Sequence, residues 1–356
     1  MKRIVVTGGA GFIGSNLVRR LIRAGYFVLN IDGLTYAGNL CSLEDIALLA
    51  NYRFAHIDIT DPQKLKSAID EFAPDAIMHL AAESHVDRSI DGPGQFIQTN
   101  VVGSFHLLQV TCQYWQNLPT QMQEKFRFLH VSTDEVYGSL GITGKFTETS
   151  RYDPHSPYSA SKAASDHLAR AWFETYGLPV IVTNCSNNYG PYQFPEKLVP
   201  VVILKCLRGE PIPVYGKGEN VRDWLYVEDH CEALELVLRK GQPGQSYNVG
   251  GNNELRNIDL VQTLCNLMDA LAPQASGLQT PASSLISFVT DRPGHDLRYA
   301  IDSSKIQREL GWRPRQDSDS GFRMTVQWYL ENQNWWKDVL SGKYRLERQG
   351  VLRGSF

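Results

Sequence analysis

Two short segments of the sequence bring together side chains that can exchange protons. The first, residues 131–138, reads Val-Ser-Thr-Asp-Glu-Val-Tyr-Gly, and the second, residues 158–162, reads Tyr-Ser-Ala-Ser-Lys. Tyr158 and Lys162 are four positions apart, so a helix places the phenol and the ammonium on the same face. We expect the ammonium to favour the phenolate and to lower the tyrosine pKa, which would make Tyr158 a base near neutral pH.

Asp134 and Glu135 add a second acid/base couple that plain alcohol oxidation does not need. Two adjacent carboxylates in a partly closed site repel one another, which raises the pKa of at least one. One protonated acid and one ionised base would suit the elimination of water. A helix cap or a solvated loop is the alternative for this pair, and a chance match on a surface helix is the alternative for Tyr158 and Lys162.

The first 185 residues alternate strand-like apolar runs with helical patterns, as an α/β domain with a parallel sheet does. Strands are predicted at residues 3–7, 27–32, 53–56, 76–80, 126–132 and 180–184. Helices are predicted at residues 14–23, 62–71, 100–115 and 158–176. Short continuous β runs flanked by helices suit strands that are buried on both faces.

After residue 185 the alternation stops and glycine and proline become frequent. Residues 199–208 and 227–239 look helical, and residues 213–215 and 246–249 look extended. Residues 272–287, rich in Pro, Ser, Ala and Gly, predict a loop or a variable insertion. We therefore expect a dinucleotide-binding domain at 1–185, a smaller mixed α/β substrate-binding lobe at 186–344 over the carboxyl edge of the sheet, and a polar tail at 345–356.

A glycine turn follows the first strand directly and opens a helix. Gly8, Gly11 and Gly14 permit a tight turn and a close approach of the backbone to a pyrophosphate at the helix N-terminus. The strand, the helix and Asp32 at the end of the second strand distinguish this turn from a merely tight β–α connection. Asp32 can accept hydrogen bonds from a ribose diol and would repel a 2′-phosphate, so the sequence predicts a Rossmann-type doubly wound sheet that binds NAD rather than NADP. Asp58 would meet the adenine edge or cap the next helix.

Composition excludes several other classes of protein. The chain has 356 residues, of which 42% are hydrophobic and 21% charged, with a formal net charge of -3, so it lacks the basic field that nucleic acid requires. Six widely spaced cysteines predict neither a disulfide framework nor a metal site. The N-terminus runs straight into a strand and no segment reaches the length of a membrane span, so we expect a cytoplasmic protein.

Over nearly its whole length the chain resembles the dTDP-glucose 4,6-dehydratases, within the extended short-chain dehydrogenase/reductases. The resemblance rests on the glycine turn, on Tyr-x-x-x-Lys, and on residues 34–39, 81–89, 187–200, 222–224 and 291–299. Its most specific signal is Thr-Asp-Glu at 133–135, because related epimerases and decarboxylases usually carry a small or hydroxyl residue in place of Asp134. GDP-mannose dehydratases keep the glutamate without the aspartate. Gly33 departs from the larger residue common in relatives, which would affect cofactor affinity only.

The resemblance implies a hydro-lyase that converts dTDP-glucose into dTDP-4-keto-6-deoxyglucose with catalytic NAD and no net redox change. Tyr158, with Thr133 and Lys162, would take the C4 hydroxyl proton while NAD+ takes the C4 hydride. Glu135 would remove the C5 proton while Asp134 protonates the departing C6 hydroxyl, and the hydride would return to C6. The cofactor would stay bound between turnovers, and dTDP-L-rhamnose biosynthesis is the expected destination of the product.

The resemblance also implies a set of binding residues. Cofactor contacts are implied at Gly8, Gly11, Phe12, Ile13, Gly14, Asp32, Leu34, Thr35, Asp58, Ile59, Leu80, Ala81, Ala82, Thr99, Tyr158, Lys162 and Asn188. Substrate contacts are implied at Ser84, Thr133, Asn187, Lys197, Leu198, Pro213, Tyr215, Arg222, Asn257, Asp291, Arg292 and His295. Arginine forks suit phosphate oxygens, although Arg222-Asp223 and Asp291-Arg292 could each be a structural ion pair instead. Tyr215 would stack on the thymine ring or be an ordinary packed strand aromatic.

Helices 100–115 and 158–176 carry apolar residues on more than one face, and the resemblance implies a homodimer through them. The aromatic residues Trp328, Tyr329, Trp335 and Trp336 are expected in the core rather than at an interface. Two other functions remain open at this point. One is a sibling enzyme that uses another nucleotide diphosphate sugar or stops at epimerisation, and the other is a non-enzymatic NAD-binding regulator or scaffold.

Overall fold

Strands that are apolar over most of their length form the centre of the fold. A computed structural model describes residues 1–273 and 281–341. The strands are β1 Arg3–Thr7, β2 Phe27–Asp32, β3 Tyr52–His56, β4 Ala76–His79, β5 Arg127–Thr133, β6 Val180–Cys185, β7 Asn187–Tyr189, β8 Ile212–Tyr215, β9 Val221–Tyr226, β10 Ser246–Val249, β11 Glu254–Arg256 and β12 Ile286–Val289. Ile4, Val5 and Val6 are completely buried, as expected of a strand covered on both faces.

Helices connect these strands and cover them. They are α1 Phe12–Arg23, α2 Pro62–Phe72, α3 Val86–Asp91, α4 Pro93–Phe96, α5 Ser104–Gln116, α6 Thr120–Gln123, α7 Pro157–Tyr176, α8 Leu198–Arg208, α9 Val227–Lys240, α10 Asn257–Leu271, α11 Ser304–Leu310, α12 Ser318–Glu331 and α13 Gln333–Ser341. A π-helical segment, Ile97–Gly103, runs directly into α5, so the helix predicted from residue 100 begins as a π-helix. Among the described helices, none has the length and hydropathy that a membrane span needs.

Seven parallel strands make the main sheet, in the order β3-β2-β1-β4-β5-β6-β10. One hydrophobic core lies between this sheet and α1 and α9, and a second lies between the opposite face and α2, α5 and α7. The predicted doubly wound α/β fold is therefore confirmed. The strand order reverses between β1 and β4, and such a switch point opens a crevice at the carboxyl ends of the strands.

The smaller lobe contains a three-stranded sheet, β11-β9-β7, and a parallel pair, β12-β8. Helices α8, α10, α12 and α13 pack there around a third core, which includes Tyr329, Trp335 and Trp336, so the prediction that this aromatic group is core is confirmed. The domain boundary at residue 185 stays a prediction. The chain returns to the main sheet after this boundary, because β10 pairs with β6.

The prediction of a loop at 272–287 is wrong at the C-terminal end of that range. Ile286–Val289 forms β12, which pairs in parallel register with β8. The strand is only four residues long and follows a Pro- and Ser-rich stretch, so the local sequence signal for a strand is weak. Pairing with β8, which lies 74 residues earlier (Ile286 with Ile212), makes this segment a strand. The tail predicted at 345–356 lies outside the described residues, as do 274–280.

Candidate active site

A cavity of about 340 Å³ opens at the carboxyl edge of the main sheet, across the switch point. It is lined by the residues that follow β1, β2, β4, β5 and β6, together with the start of α8. All five predicted catalytic residues line it: Thr133, Asp134, Glu135, Tyr158 and Lys162. Every predicted cofactor residue except Leu34 lines it too, and so do four predicted substrate residues besides Thr133, namely Ser84, Asn187, Lys197 and Leu198.

The glycine turn leaves no room for side chains where the backbone must approach a ligand. A Cβ on Gly14 would lie 2.0 Å from the carbonyl oxygen of Gly8, and Gly8 itself has φ +73°, which favours glycine. Gly11 caps α1 without any side-chain acceptor, so amide donors of the first turn face the cavity. This cradle fits a pyrophosphate at a helix N-terminus.

Asp32 shapes the same turn. Its two oxygens accept hydrogen bonds from the amides of Ala10 and Leu34, each at 2.8 Å, and burial raises its pKa. Leu34 takes φ 48° in this bend and does not line the cavity. Lone pairs of the Asp32 carboxylate remain for a ribose diol, because each oxygen can accept more than one hydrogen bond.

Asp58 accepts hydrogen bonds from the amide and the hydroxyl of Thr60, both at 2.8 Å, and lines the cavity at the end of β3. The alternative of a helix cap is wrong for this residue. Asp61 caps α2 instead, by accepting from the amide of Lys64.

Helix α7 carries Tyr158 and Lys162 into the cavity. It begins at Pro157 because Ser156 and Ser159 form a capping box, and proline suits the first helical position. The ammonium of Lys162 donates to the carbonyl of Val131 at 2.8 Å. Burial lowers the Lys162 pKa from its ordinary value.

The expected lowering of the Tyr158 pKa is wrong for the protein alone. Burial, followed by the negative charge of Glu135, raises the Tyr158 pKa well above its ordinary value. A hydrogen bond with Thr133 opposes the rise, whereas Lys162 is not among the main influences on the phenol. The four-residue spacing places the two side chains on one face, but desolvation outweighs their charge interaction.

Asp134 and Glu135 lie in a short 3₁₀ turn, Asp134–Tyr137, that follows β5 directly. The side chain of Thr133 caps this turn by accepting from the Glu135 amide at 3.3 Å. Asp134 is only 1% exposed, and its Oδ2 atom has no hydrogen-bond partner among the described residues. The alternative of a solvated loop is therefore wrong for Asp134, whereas Glu135 is half-buried and lines the cavity.

The two acids have different electrostatic surroundings. Burial, followed by the neighbouring carboxylates of Glu135 and Asp223, raises the Asp134 pKa well above its ordinary value. Burial also raises the Glu135 pKa, but three cations oppose that rise: Arg292, Lys197 and Arg222. The expected rise is confirmed, and the contrast between the neighbours favours a protonated Asp134 beside an ionised Glu135.

Arg222 and Arg292 are not paired with the acids beside them in sequence, so both ion-pair alternatives are wrong. Arg222 donates to the carbonyl of Asp296 at 3.0 Å and lies over the ring of Tyr299, 4.2 Å from its centroid. Arg292 donates to Asp87 at 2.8 Å, and its Nε is buried without a partner in the described structure. Donors left over on both guanidinium groups suit phosphate oxygens.

The remaining predicted substrate residues lie in the smaller lobe, outside the cavity lining. Tyr215 donates to Asp87 at 2.9 Å and meets His295 edge-on at 6.2 Å between centroids, so it is more than a packed strand aromatic. His295 contacts Asp291 at 2.6 Å, and burial lowers the His295 pKa to about 4. Pro213 lies in β8, and Asn257 begins α10 with its Oδ1 buried and without a hydrogen-bond partner within residues 1–273 and 281–341. Stacking of Tyr215 on a base stays a prediction.

Gly33, expected to affect cofactor affinity, lines the cavity as well. Sequence reasoning missed a further group that lines it: Ala37, Gly38, Val131, Ser132, Cys185, Ser186, Gln193, Phe194, Glu196 and Trp224. Cys185 ends β6 and Ser186 follows it, and a rule that parallel strands place function at their carboxyl ends could have found them. No local pattern marks Phe194, which meets the ring of Tyr36 edge-on at 5.7 Å. Arg88 lies 3.7 Å from the Tyr36 centroid and pairs with Glu196 at 3.3 Å, which ties two loops together beside the cavity.

Comparisons with known proteins agree with this geometry. A family model described as GDP-mannose 4,6 dehydratase matches residues 5–325. A dTDP-glucose 4,6-dehydratase from Neisseria meningitidis serogroup B is 58% identical over 99% of both chains.

Solved structures give the same result. A dTDP-glucose 4,6-dehydratase from Bacillus anthracis, solved in complex with NAD, has a TM-score of 0.84 and 44% identity, covering 95% of this chain and 100% of that one. A dTDP-glucose 4,6-dehydratase from Streptomyces venezuelae, solved with NAD and TYD bound, has a TM-score of 0.86 and 45% identity over 95% of this chain and 99% of that one.

Proposed function

The chain belongs to the dTDP-glucose 4,6-dehydratases, and from this premise we propose that it removes water from dTDP-glucose to give dTDP-4-keto-6-deoxyglucose. The observation that carries the proposal is the acid pair in the same cavity as Tyr158, with a buried Asp134 among carboxylates and Glu135 facing cations. An epimerase needs only the tyrosine, whereas an elimination needs both an acid and a base. A non-enzymatic role is disfavoured because every group that the reaction requires lines one cavity.

NAD is the cofactor that we propose for this cavity. The glycine cradle suits the pyrophosphate, Asp32 suits the ribose diol, and Lys162 suits the nicotinamide ribose. NAD supplies, when bound, a hydride acceptor for C4 and a hydride donor for C6. Since the cofactor ends each turnover in its starting state, retention between turnovers is advantageous, and the Tyr36–Phe194 contact beside the cavity supports it.

The side chains of the protein would move the protons. Tyr158 removes the proton of the C4 hydroxyl in its phenolate form, which the positive charge of bound NAD+ would favour in this buried site, and Thr133, which interacts with Tyr158, orients the same oxygen. The resulting 4-keto group acidifies C5, so an ionised Glu135 can remove the C5 proton. Asp134, kept protonated by burial, gives its proton to the departing C6 hydroxyl, and water leaves. Glu135 then returns its proton to C5.

The cationic side chains beside Glu135 support a diphosphate substrate. Lys197 reaches the carbonyl of Ser84 at 2.8 Å, and Arg222 and Arg292 carry the unused donors described above. Thymine as the base is inferred from the family. Use of the product in dTDP-L-rhamnose biosynthesis also stays a prediction.

Purified protein incubated with dTDP-glucose in deuterated water, without added cofactor, tests the proposal. We expect a new C6 methyl signal in the proton NMR spectrum, with solvent deuterium at C5, because Glu135 exchanges its proton with solvent before it reprotonates C5. The co-purified cofactor is measured separately, by denaturing the protein and quantifying released NAD.

Return of unchanged sugar, or of its C4 epimer, after NAD had been added would contradict the dehydratase assignment. Turnover of UDP-, CDP- or GDP-glucose in preference to dTDP-glucose would contradict the substrate but not the reaction. The matched control is Asp134→Asn, which keeps the size of the side chain and removes its acidity.

We also propose a homodimer through α5 and α7. Phe105 is 39% exposed and Tyr176 is 49% exposed, and both contact Trp172 on the outer side of these helices. Ile97, on the preceding π-helical segment, is 49% exposed as well. Exposed apolar and aromatic side chains that lie on neighbouring helices suit a self-complementary interface. A cytoplasmic location stays a prediction, supported by six cysteines that are all free thiols.

Light scattering coupled to size-exclusion chromatography should give twice the 40.1 kDa mass of one chain. Phe105→Glu should yield the mass of a single chain, because a charge would be buried unpaired in the interface. Leu48→Glu is the matched control, since Leu48 is 98% exposed on a different surface and its change should leave the mass of the wild type. A wild-type protein with the mass of one chain at micromolar concentration would refute the dimer.

A further inference from the structure

Behind the catalytic face of α7 lies a buried carboxylate that the proposed reaction does not use. Asp166 is completely buried, one helical turn after Lys162. Its Oδ2 accepts hydrogen bonds from Ser132 at 2.8 Å and from Tyr152 at 2.9 Å. The same oxygen lies 3.3 Å from the amide nitrogen of Asn184, and Oδ1 lies 3.1 Å from Nε2 of His130.

All four partners donate. Ser132 and Tyr152 donate through hydroxyls and Asn184 through its amide, and His130 donates through Nε2 because an ionised carboxylate only accepts. A buried carboxylate with this number of donors is stable in its charged form. An asparagine in its place would present an amino group to at least one of these donors.

The donors belong to elements that carry the catalytic groups. Ser132 immediately precedes Thr133 on β5, and Asn184 on β6 also donates to the carbonyl of Thr133 at 3.1 Å. The Asp166 cluster, defined as Asp166 with its four donors, therefore fixes the end of β5 against α7. The position of Thr133 relative to Tyr158 depends on this junction.

Asp166 also opposes the cost of burying the Lys162 ammonium. Burial lowers the Lys162 pKa, and the charge of Asp166 is the first influence that raises it. Cys185 on β6 also raises the Lys162 pKa. On β5 and β4, burial lowers the pKa of His130 and of His79, and the nearby Lys162 ammonium lowers both further.

We propose that Asp166 is a positioning residue for this reaction: its four hydrogen bonds fix Thr133 opposite Tyr158, and its carboxylate lies one helical turn from Lys162 on α7. The inference rests on the proposed function, because it assigns a role to a group one layer behind the proposed catalytic residues. It differs from a purely structural role in one measurable respect: the charge state of Lys162 depends on Asp166.

The sign of the pH effect follows from that dependence. If Asp166 loses its charge, the Lys162 pKa falls further below its ordinary value, and Lys162 becomes neutral at a lower pH than in the wild type. The fall of activity on the alkaline side should then begin at lower pH. Tyr137, Tyr152 and His130 also face Asp166, with Arg170 behind Tyr152, but none of them is removed by the substitution.

Asp166→Asn, measured as a complete pH profile of kcat and of kcat/KM with dTDP-glucose, tests the proposal. We expect kcat to fall by about 10- to 100-fold, the usual effect of losing a partner that orients a reacting group, with KM changed much less. The alkaline limb should move to lower pH by about one unit, since the lost charge lies one turn from Lys162.

The matched control is Asp229→Asn. Asp229 is also a buried helical aspartate that accepts hydrogen bonds, from the amides of Arg315 and Gln316, but it lies away from the cavity. The Asp229→Asn protein should be less stable than the wild type, but its pH profile of kcat and kcat/KM should be unshifted. A folded Asp166→Asn protein with the alkaline limb of the wild type would overturn the proposal, whatever its kcat.

A double variant, Ser132→Ala with Tyr152→Phe, covers the case in which Asp166→Asn does not fold. It keeps the carboxylate charge beside Lys162 but removes two of the four hydrogen bonds that fix Thr133 opposite Tyr158. We expect kcat to fall with KM changed much less and with the alkaline limb near that of the wild type, and a wild-type kcat would overturn the proposal. Failure of the proposed function itself is distinguishable, because wild-type protein would then form no product from dTDP-glucose.

Discussion

Replacing Glu135 with glutamine should stop turnover after the sugar has been oxidised at C4. Glutamine has nearly the size of glutamate and can accept a hydrogen bond, but it cannot take a proton from C5. General-base catalysis is worth about 10²- to 10⁴-fold, so we expect kcat for formation of the 4-keto-6-deoxy sugar to fall by that factor. Reduced cofactor should accumulate on the enzyme, and deuterium from solvent should not enter C5.

The size of this effect depends on the surroundings of Glu135. Burial raises its pKa, which makes it a stronger base than a surface carboxylate, and the three neighbouring cations keep it ionised. As pH falls through the Glu135 pKa the base is lost, so the wild-type rate should decline on the acid side. A Glu135→Gln variant that still places deuterium at C5 at the wild-type rate would contradict the assignment.

The variant Asp134→Asn distinguishes the role of Asp134 from that of Glu135. The C5 proton should still exchange with solvent in this variant, because Glu135 is intact, whereas loss of the C6 hydroxyl should slow because no acid protonates it. The measurement is the ratio of C5 deuterium incorporation to C6 methyl formation, followed by NMR in a single sample. Equal loss of both signals in the two variants would show that the acids act as a unit rather than in separate roles.

Replacing Tyr158 with phenylalanine should abolish the first oxidation, with a fall of about 10²- to 10⁴-fold in kcat. The phenol is removed, while the ring that packs against Phe96 at 6.2 Å is kept, so the fold should survive. Reduced cofactor should not form, unlike in Glu135→Gln, and no deuterium should enter C5. Rapid mixing with detection of cofactor reduction in a single turnover measures the affected step directly.

Tyr247→Phe is the matched control for this substitution. Tyr247 is also buried, but it lies on β10 and its hydroxyl accepts a hydrogen bond from the amide of Gln242. We expect its kcat to equal that of the wild type. Reduction of bound cofactor at the wild-type rate in Tyr158→Phe would exclude Tyr158 as the base that removes the C4 hydroxyl proton.

The sequence by itself was sufficient for six of the seven strands of the main sheet and for the chemical groups, whereas β10 was assigned to the smaller lobe. Apolar runs bounded by turn residues predict strands because strands buried on both faces need them, and the glycine turn with Asp32 predicts a dinucleotide site because its signals are local. Tyr158, Lys162, Asp134 and Glu135 were found for the same reason. Tyr158 and Lys162 lie four residues apart in one segment, and Asp134 and Glu135 are adjacent in another. Spacing alone therefore places the two members of each pair together.

Only the tertiary structure decided which distant residues meet these groups. Arg292 forms an ion pair with Asp87 rather than with its neighbour Asp291. Asp166 accepts hydrogen bonds from three other segments of the chain, and β12 forms because β8 lies beside it. The Tyr158 pKa is the clearest case, because spacing predicted a fall and burial produces a rise. Local sequence determines which side chains share a face, but desolvation and charge depend on everything that packs around that face, and that set is defined only when the chain has folded.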